Sequence, residues 1–142
     1  LKGSVQISFL DTADYPASTL LTIADELLLG EIASVEARHD EAIAHFSAAV
    51  DAQDSLPYTE PPFWYYPTRQ SLGEAHIAAG EFAEAEAVYR KDLVDYPHNG
   101  WSMSGLMKAL TAQGKTDEAA EMKHMFDIVW RKSDVTLDGS RL

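Results

Sequence analysis

Three stretches of this chain align with one another. They are "LGEIASVEARHDEAIAHFSAA" from Leu29, "LGEAHIAAGEFAEAEAVYRKD" from Leu72 and "LMKALTAQGKTDEAAEMKHMF" from Leu106. The second and third begin 34 residues apart; the first and second begin 43 apart, which is 34 plus nine. No other feature constrains the fold as strongly. A unit repeated at such a period is one supersecondary element that cannot bury its apolar face alone, so the copies must stack. Within each copy the apolar residues recur at three- and four-residue spacings, the mark of amphipathic helix. Helices are expected at about 17–36, 39–54, 66–79, 82–95, 101–112 and 116–132. Pro57, Pro61 and Pro62 break the pattern after the first pair, Gly80 splits the second, and Pro97 and Gly100 close it. Thr116 is the expected N-cap of the last helix, with Ala119 three residues on. At the N-terminal end, "SVQISFL" (4–10) alternates weakly. One isolated strand is marginal, so a short non-helical arm is expected over 1–16. Residues 133–142 read as a tail.

A 34-residue spacing of paired helices resembles the tetratricopeptide repeat family. The resemblance covers about residues 23–132. The family's Leu-Gly pair matches Leu29-Gly30 and Leu72-Gly73; the third copy has Leu106-Met107 and lacks the close-packing glycine. The next slot holds Ala33, His76 and Leu110. The turn glycine is Gly80 and Gly114, with Ala37 in the first copy. The signature alanine of the second helix is Ala42, Ala85 and Ala119, followed by Phe46, Tyr89 and Lys123. The alanine after that is Ala49, replaced by Asp92 and Phe126. The "NGW" run at Asn99–Trp101, leading into a long last helix and a tail, is similar to the C-terminal part of bacterial proteins with such repeats. The resemblance implies an all-α fold: a right-handed α-α solenoid of three helix pairs forming a single domain. Repeat 1 would span 17–54, an enlarged loop 55–65, repeat 2 66–97, and repeat 3 with its cap 98–132. Phe126, Ile128, Val129 and Trp130 are expected to pack back from the capping helix.

Composition narrows the function. The net charge is -12, which opposes a nucleic-acid partner, because phosphate contacts need clustered Lys and Arg. Residues 1–65 carry 11 acids against Lys2 and Arg38, and 66–142 carry 12 acids against 9 bases, so the N-terminal half is the more acidic. No apolar run reaches the ~18–20 residues that cross a bilayer, and no leader pattern is visible. A cytoplasmic location is the expectation, for a chain that starts at Leu1 and reads equally as a fragment. No cysteine is present, which removes thiolate chemistry and Cys-based zinc sites. Glu36-x-x-His39 and Glu121-x-x-His124 each place a carboxylate and an imidazole on one helical face. Paired motifs of this kind build di-iron bundles, but these two lie at opposite ends of the repeat array. Neither a metal, a cofactor nor catalysis is expected.

Binding is the remaining reading. The resemblance implies a scaffold for protein–protein interaction whose first helices line a concave groove that accepts a peptide or a partner helix. The groove-facing slots would be Leu27, Glu31 and Ser34, then Gln70, Glu74 and Ile77, then Trp101, Ser104 and Lys108. Glu31 and Glu74 would favour a basic ligand. A second candidate site is the loop "EPPFWYY" with Phe63, Trp64, Tyr65 and Tyr66, where the nine surplus residues fall and where Arg69 and Gln70 follow. Those rings either pack over the joint or form a binding platform. The alternative class is structural: an end piece of a larger repeat protein, or a self-associating unit covering Leu20, Leu21, Leu27 and Leu28 with upstream repeats or a second copy.

Overall fold

A computed structural model describes residues 4–140. The arm and tail expectations therefore extend at 1–3 and 141–142 beyond the described residues. The architecture is all-α: seven helices and no strand among the described residues. They are α1 (Val5–Thr12), α2 (Ala17–Val35), α3 (His39–Asp54), α4 (Arg69–Ala79), α5 (Phe82–Asp95), α6 (Gly100–Ala112) and α7 (Thr116–Trp130). Apart from α1 they form the helix pairs α2–α3, α4–α5 and α6–α7, a helix-pair repeat. The chain divides into two compact units, Leu1–Thr68 and Arg69–Leu142.

The three intra-pair turns are built alike. The N–H groups of Ala37, Gly80 and Gly114 donate to the carbonyls of Ser34, Ile77 and Thr111, at 3.1, 3.1 and 3.0 Å. The next N–H in each turn, from Arg38, Glu81 and Lys115, reaches back to Ala33, His76 and Leu110 at 2.9, 2.9 and 3.0 Å. This double bond satisfies carbonyls that the helix end leaves unpaired. It needs a left-handed residue at the corner, and φ is +78° at Gly80, +72° at Gly114 and +56° at Ala37. Alanine thus adopts the glycine conformation in the first turn, against the steric preference of a Cβ.

In the first unit, α2 and α3 bury Ile23, Leu27, Ala33, Ala42, Phe46, Ala49 and Val50. Gly30 lets the helices close: a Cβ there would sit 2.6 Å from the Phe46 ring. His45 Nδ1 lies 2.8 Å from Glu26 Oε2 across the pair. The expected non-helical arm is corrected, because Val5–Thr12 is helix α1. No strand partner exists among the described residues, and an unpaired strand leaves its backbone groups open whereas a helix satisfies them internally. Ser4 caps it, accepting from Ile7 N–H at 3.3 Å. Asp11 ties it to α2 by accepting the Ser18 N–H at 3.0 Å and the Ser18 hydroxyl.

In the second unit, Ala85, Tyr89, Leu106, Ala109 and Leu110 form the core, with Ile77, Leu93, Ala119 and Met122 packed against it. Tyr89 is fully buried between two glycines: a Cβ at Gly73 would lie 2.4 Å from its ring and one at Gly105 2.3 Å. Three details differ from the sequence reading. Helix α4 starts at Arg69 rather than 66, because Gln53 on α3 holds the preceding backbone in the loop. Thr116 is the first residue of α7 rather than its cap; Lys115 occupies that position with no side-chain cap bond. Of the residues expected to pack back from α7, Phe126, Val129 and Trp130 are half-buried, but Ile128 is 56% exposed. Two residues beyond Phe126 is about 200° around a helix, which turns Ile128 away from α6.

Candidate functional site

The fixed frame of the second unit begins with Asp92, which stands where the repeat family has alanine. Its buried carboxylate gathers the start of α6: Oδ2 accepts from Asn99 Nδ2 at 2.9 Å and from the Ser102 hydroxyl at 2.5 Å. Asn99 caps α6 by accepting from Trp101 N–H at 3.2 Å, the side-chain cap a helix N-terminus favours. Burial raises the Asp92 pKa, and the Ser102 and Asn99 hydrogen bonds and the Arg69 charge offset part of that rise. Gln70 joins the frame, its Nε2 donating to Asn99 Oδ1 at 3.2 Å.

On this frame the first helices of the two pairs, α4 and α6, present Gln70, Glu74, Ser104 and Lys108 to the segment 138–140. The backbone N–H of Gly139 donates to Ser104 Oγ and that of Ser140 to Glu74 Oε2, each at 3.2 Å. Lys108 Nζ donates to the Asp138 carbonyl at 3.3 Å and lies 3.4 Å from Glu74 Oε1. The Ser140 hydroxyl donates to the Gln70 carbonyl at 2.8 Å and lies 2.7 Å from the Tyr89 hydroxyl. Since a serine has one hydroxyl hydrogen, Tyr89 donates in that second contact. Ser140 is 1% exposed. Gly139 has φ +120°, and a Cβ there would lie 2.6 Å from Glu74 Oε2. Two helices thus hold a polypeptide segment largely through its main chain.

Four of the residues expected at a groove, Gln70, Glu74, Ser104 and Lys108, are therefore brought together. Glu74 engages Lys108 and the Ser140 N–H. Arg69 and Gln70 are buried at 9% and 8% exposure. Ile77 and Leu27 serve the cores of their units rather than a surface. Trp101 packs edge-on to Trp130, ring centroids 5.8 Å apart, and Trp130 stacks on Phe126 at 5.6 Å. Glu31 is half-buried on α2.

The aromatic loop belongs to the first unit and is pinned by Gln53. Its Nε2 donates to the Tyr66 carbonyl at 3.0 Å, and its Oε1 accepts from the Thr68 N–H at 2.7 Å and the Thr68 hydroxyl at 2.8 Å. Phe63 meets Tyr15 edge-on at 5.6 Å, and Trp64, Tyr65 and Tyr66 contact in series. Phe63, Trp64 and Tyr66 are half-buried, while Tyr65 is 83% exposed.

Sequence reasoning missed Tyr89's double glycine seat, since Gly105 lies two residues before the family slot. It also missed Asp138–Ser140, which carry no apolar periodicity; the one local signal was the Asp-Gly-Ser turn composition. Among the described residues, no three or more His, Asp or Glu are grouped so as to hold a metal ion, and no helix is long and apolar enough to cross a membrane. Glu121 and His124 line an open surface depression with Ala120 and Met125.

Comparison with known proteins gives one finding. A model of the tetratricopeptide repeat matches residues 71–91, the segment that runs from α4 through Gly80 into α5 and contains Gly73 and Tyr89. No curated protein and no solved structure matches the chain.

Proposed function

We propose that this chain is a non-catalytic protein-interaction module that binds an extended polypeptide segment on the face formed by α4 and α6. The observation that supports this reading is the pair of consecutive main-chain N–H groups, from Gly139 and Ser140, accepted by Ser104 and Glu74. A face that pairs backbone groups in this way recognises peptide whatever its side chains, and adjacent sockets then select among sequences. The test is selection of peptides from a random display library on the 142-residue chain, followed by titration against the Glu74→Ala/Ser104→Ala double variant. The reading expects the variant to lose at least about ten-fold in affinity, near 1.4 kcal/mol. Selection of no peptide, or of peptides indifferent to the double substitution, contradicts it.

A second reading has an observation of its own. Leu28, Ile32 and Val35 on α2 are 59%, 44% and 86% exposed, at spacings that put them on one side of the helix. Such a stripe supports self-association or attachment of further repeats. Leu27 and Leu28 part company here, Leu27 being core and Leu28 surface. Light scattering on the chain and on Leu28→Glu/Ile32→Glu decides it: a dimer that the substitutions dissociate supports this reading, and a monomer in both contradicts self-association.

A further inference from the structure

The interaction face is not vacant: residues 138–140 of the same chain lie on it. We propose that this segment is a displaceable self-ligand, and that the partner it gives way to is an extended peptide carrying a Gly-Ser step. The inference rests on the peptide-binding reading and adds to it both regulation and a sequence preference.

The sequence preference follows from two adjoining positions. The first admits glycine alone. Its φ of +120° lies in the region that side chains avoid, and a Cβ would meet the Glu74 carboxylate at 2.6 Å. The second is a closed polar socket. Its occupant must give a hydrogen to the Gln70 carbonyl and receive one from Tyr89, and Ser140 does both while 1% exposed. Alanine there would remove the hydrogen bonds that Ser140 makes to the Gln70 carbonyl and the Tyr89 hydroxyl, so the socket discriminates against it.

Displaceability follows from what holds the tail. Residues 133–136 are exposed and Leu137 is half-buried, and among the described residues of the segment the attachment rests on hydrogen bonds rather than on a buried apolar side chain. The anchor at its start is two bonds to Trp130, from its Nε1 to the Val135 carbonyl at 2.7 Å and from the Ser133 N–H to its carbonyl at 2.9 Å. A tethered segment competes by its high effective concentration, not by tight contacts. If the tail is docked about nine-tenths of the time, an external peptide binds about ten-fold more weakly than it would to an open face.

The experiment compares two versions of the 142-residue chain, wild type and Gly139→Val, which expels the segment through both φ and the Glu74 clash. A labelled peptide of sequence SDVTLDGSRL, identical to residues 133–142, is titrated into each by fluorescence anisotropy. The expected result is at least ten-fold tighter binding by Gly139→Val, with no binding of the same peptide when its glycine is valine or its serine is alanine. Equal affinity for the two chains overturns the proposal, as does absence of binding to a Gly139→Val chain that melts cooperatively. Should that variant fail to fold, Ser140→Glu gives the same comparison, because its carboxylate is repelled by Glu74. Display-selected peptides separate the two levels. Peptides that need Glu74 and Ser104 but bind wild type and Gly139→Val equally defeat the self-ligand alone. If no peptide depends on Glu74 and Ser104, the binding reading itself falls.

Discussion

At the scale of residues, the fold turns on a few places where atoms come unusually close. Tyr89 is one: Gly73 and Gly105 approach its ring from two helices, and neither has room for a methyl group. Gly73→Ala and Gly105→Ala are each expected to destabilise the chain by about 1–3 kcal/mol, the usual cost of overpacking, measured by urea unfolding. Gly80→Ala meets open space, so only its left-handed conformation matters, at about 1 kcal/mol. Ala37 gives the opposite sign. It already occupies a left-handed corner at φ +56°, so Ala37→Gly is expected to stabilise by about 1 kcal/mol. A loss of stability on that substitution would contradict the strain assigned to the first turn.

At the scale of elements, the second unit is stitched by charge as well as by packing. Glu86 on α5 accepts from Lys115 at 2.6 Å, from Arg90 at 2.8 Å and from Gln113 at 2.8 Å, while Arg90 also reaches Glu118 on α7. The Lys115 bond foremost, with those of Arg90 and Gln113, lowers the Glu86 pKa to about 2 despite its burial. A depressed carboxylate stabilises the fold above its unfolded pKa near ~4.3, and that contribution disappears as pH falls through about 2. Lys115 and Arg90 are 40% and 46% exposed, so solvent screening trims the effect to about 1–2 kcal/mol. Glu86→Gln should therefore cost about 1–2 kcal/mol at neutral pH. Thermal melts across pH should show the gap from wild type closing between about pH 4 and pH 2; a gap independent of pH contradicts the assignment. Asn99→Ala removes the α6 cap and one of the two hydrogen bonds that reach the buried Asp92 Oδ2, with an expected loss of about 2 kcal/mol by the same unfolding assay.

Much of this level was legible in the sequence. The register that aligned Ala37, Gly80 and Gly114 is the register of the three turns, down to the carbonyls of Ala33, His76 and Leu110 that accept in each. Helix limits were legible where Gly and Pro punctuate them. They were not legible where tertiary bonds decide, as when Gln53 holds Tyr66 and Thr68 and delays α4. Helix α1 escaped because an eight-residue segment with no buried side chain has no apolar periodicity to show.

At the scale of the whole molecule, the proposed function rests on how the second unit holds the segment 138–140. The family resemblance implied Gln70, Glu74, Ser104 and Lys108 among its groove-facing slots, together with Leu27, Glu31, Ser34, Ile77 and Trp101. It could not show that residues 138–140 lie there, because a main-chain docking leaves no side-chain pattern. The most direct test is nuclear magnetic resonance of the labelled 142-residue chain, titrated with a peptide selected from a display library. The account predicts perturbation at Gln70, Glu74, Ser104 and Lys108, with the Gly139 and Ser140 amides shifting as the tail leaves. Perturbation confined to the aromatic loop at 63–66, or to the α2 stripe of Leu28, Ile32 and Val35, would contradict it.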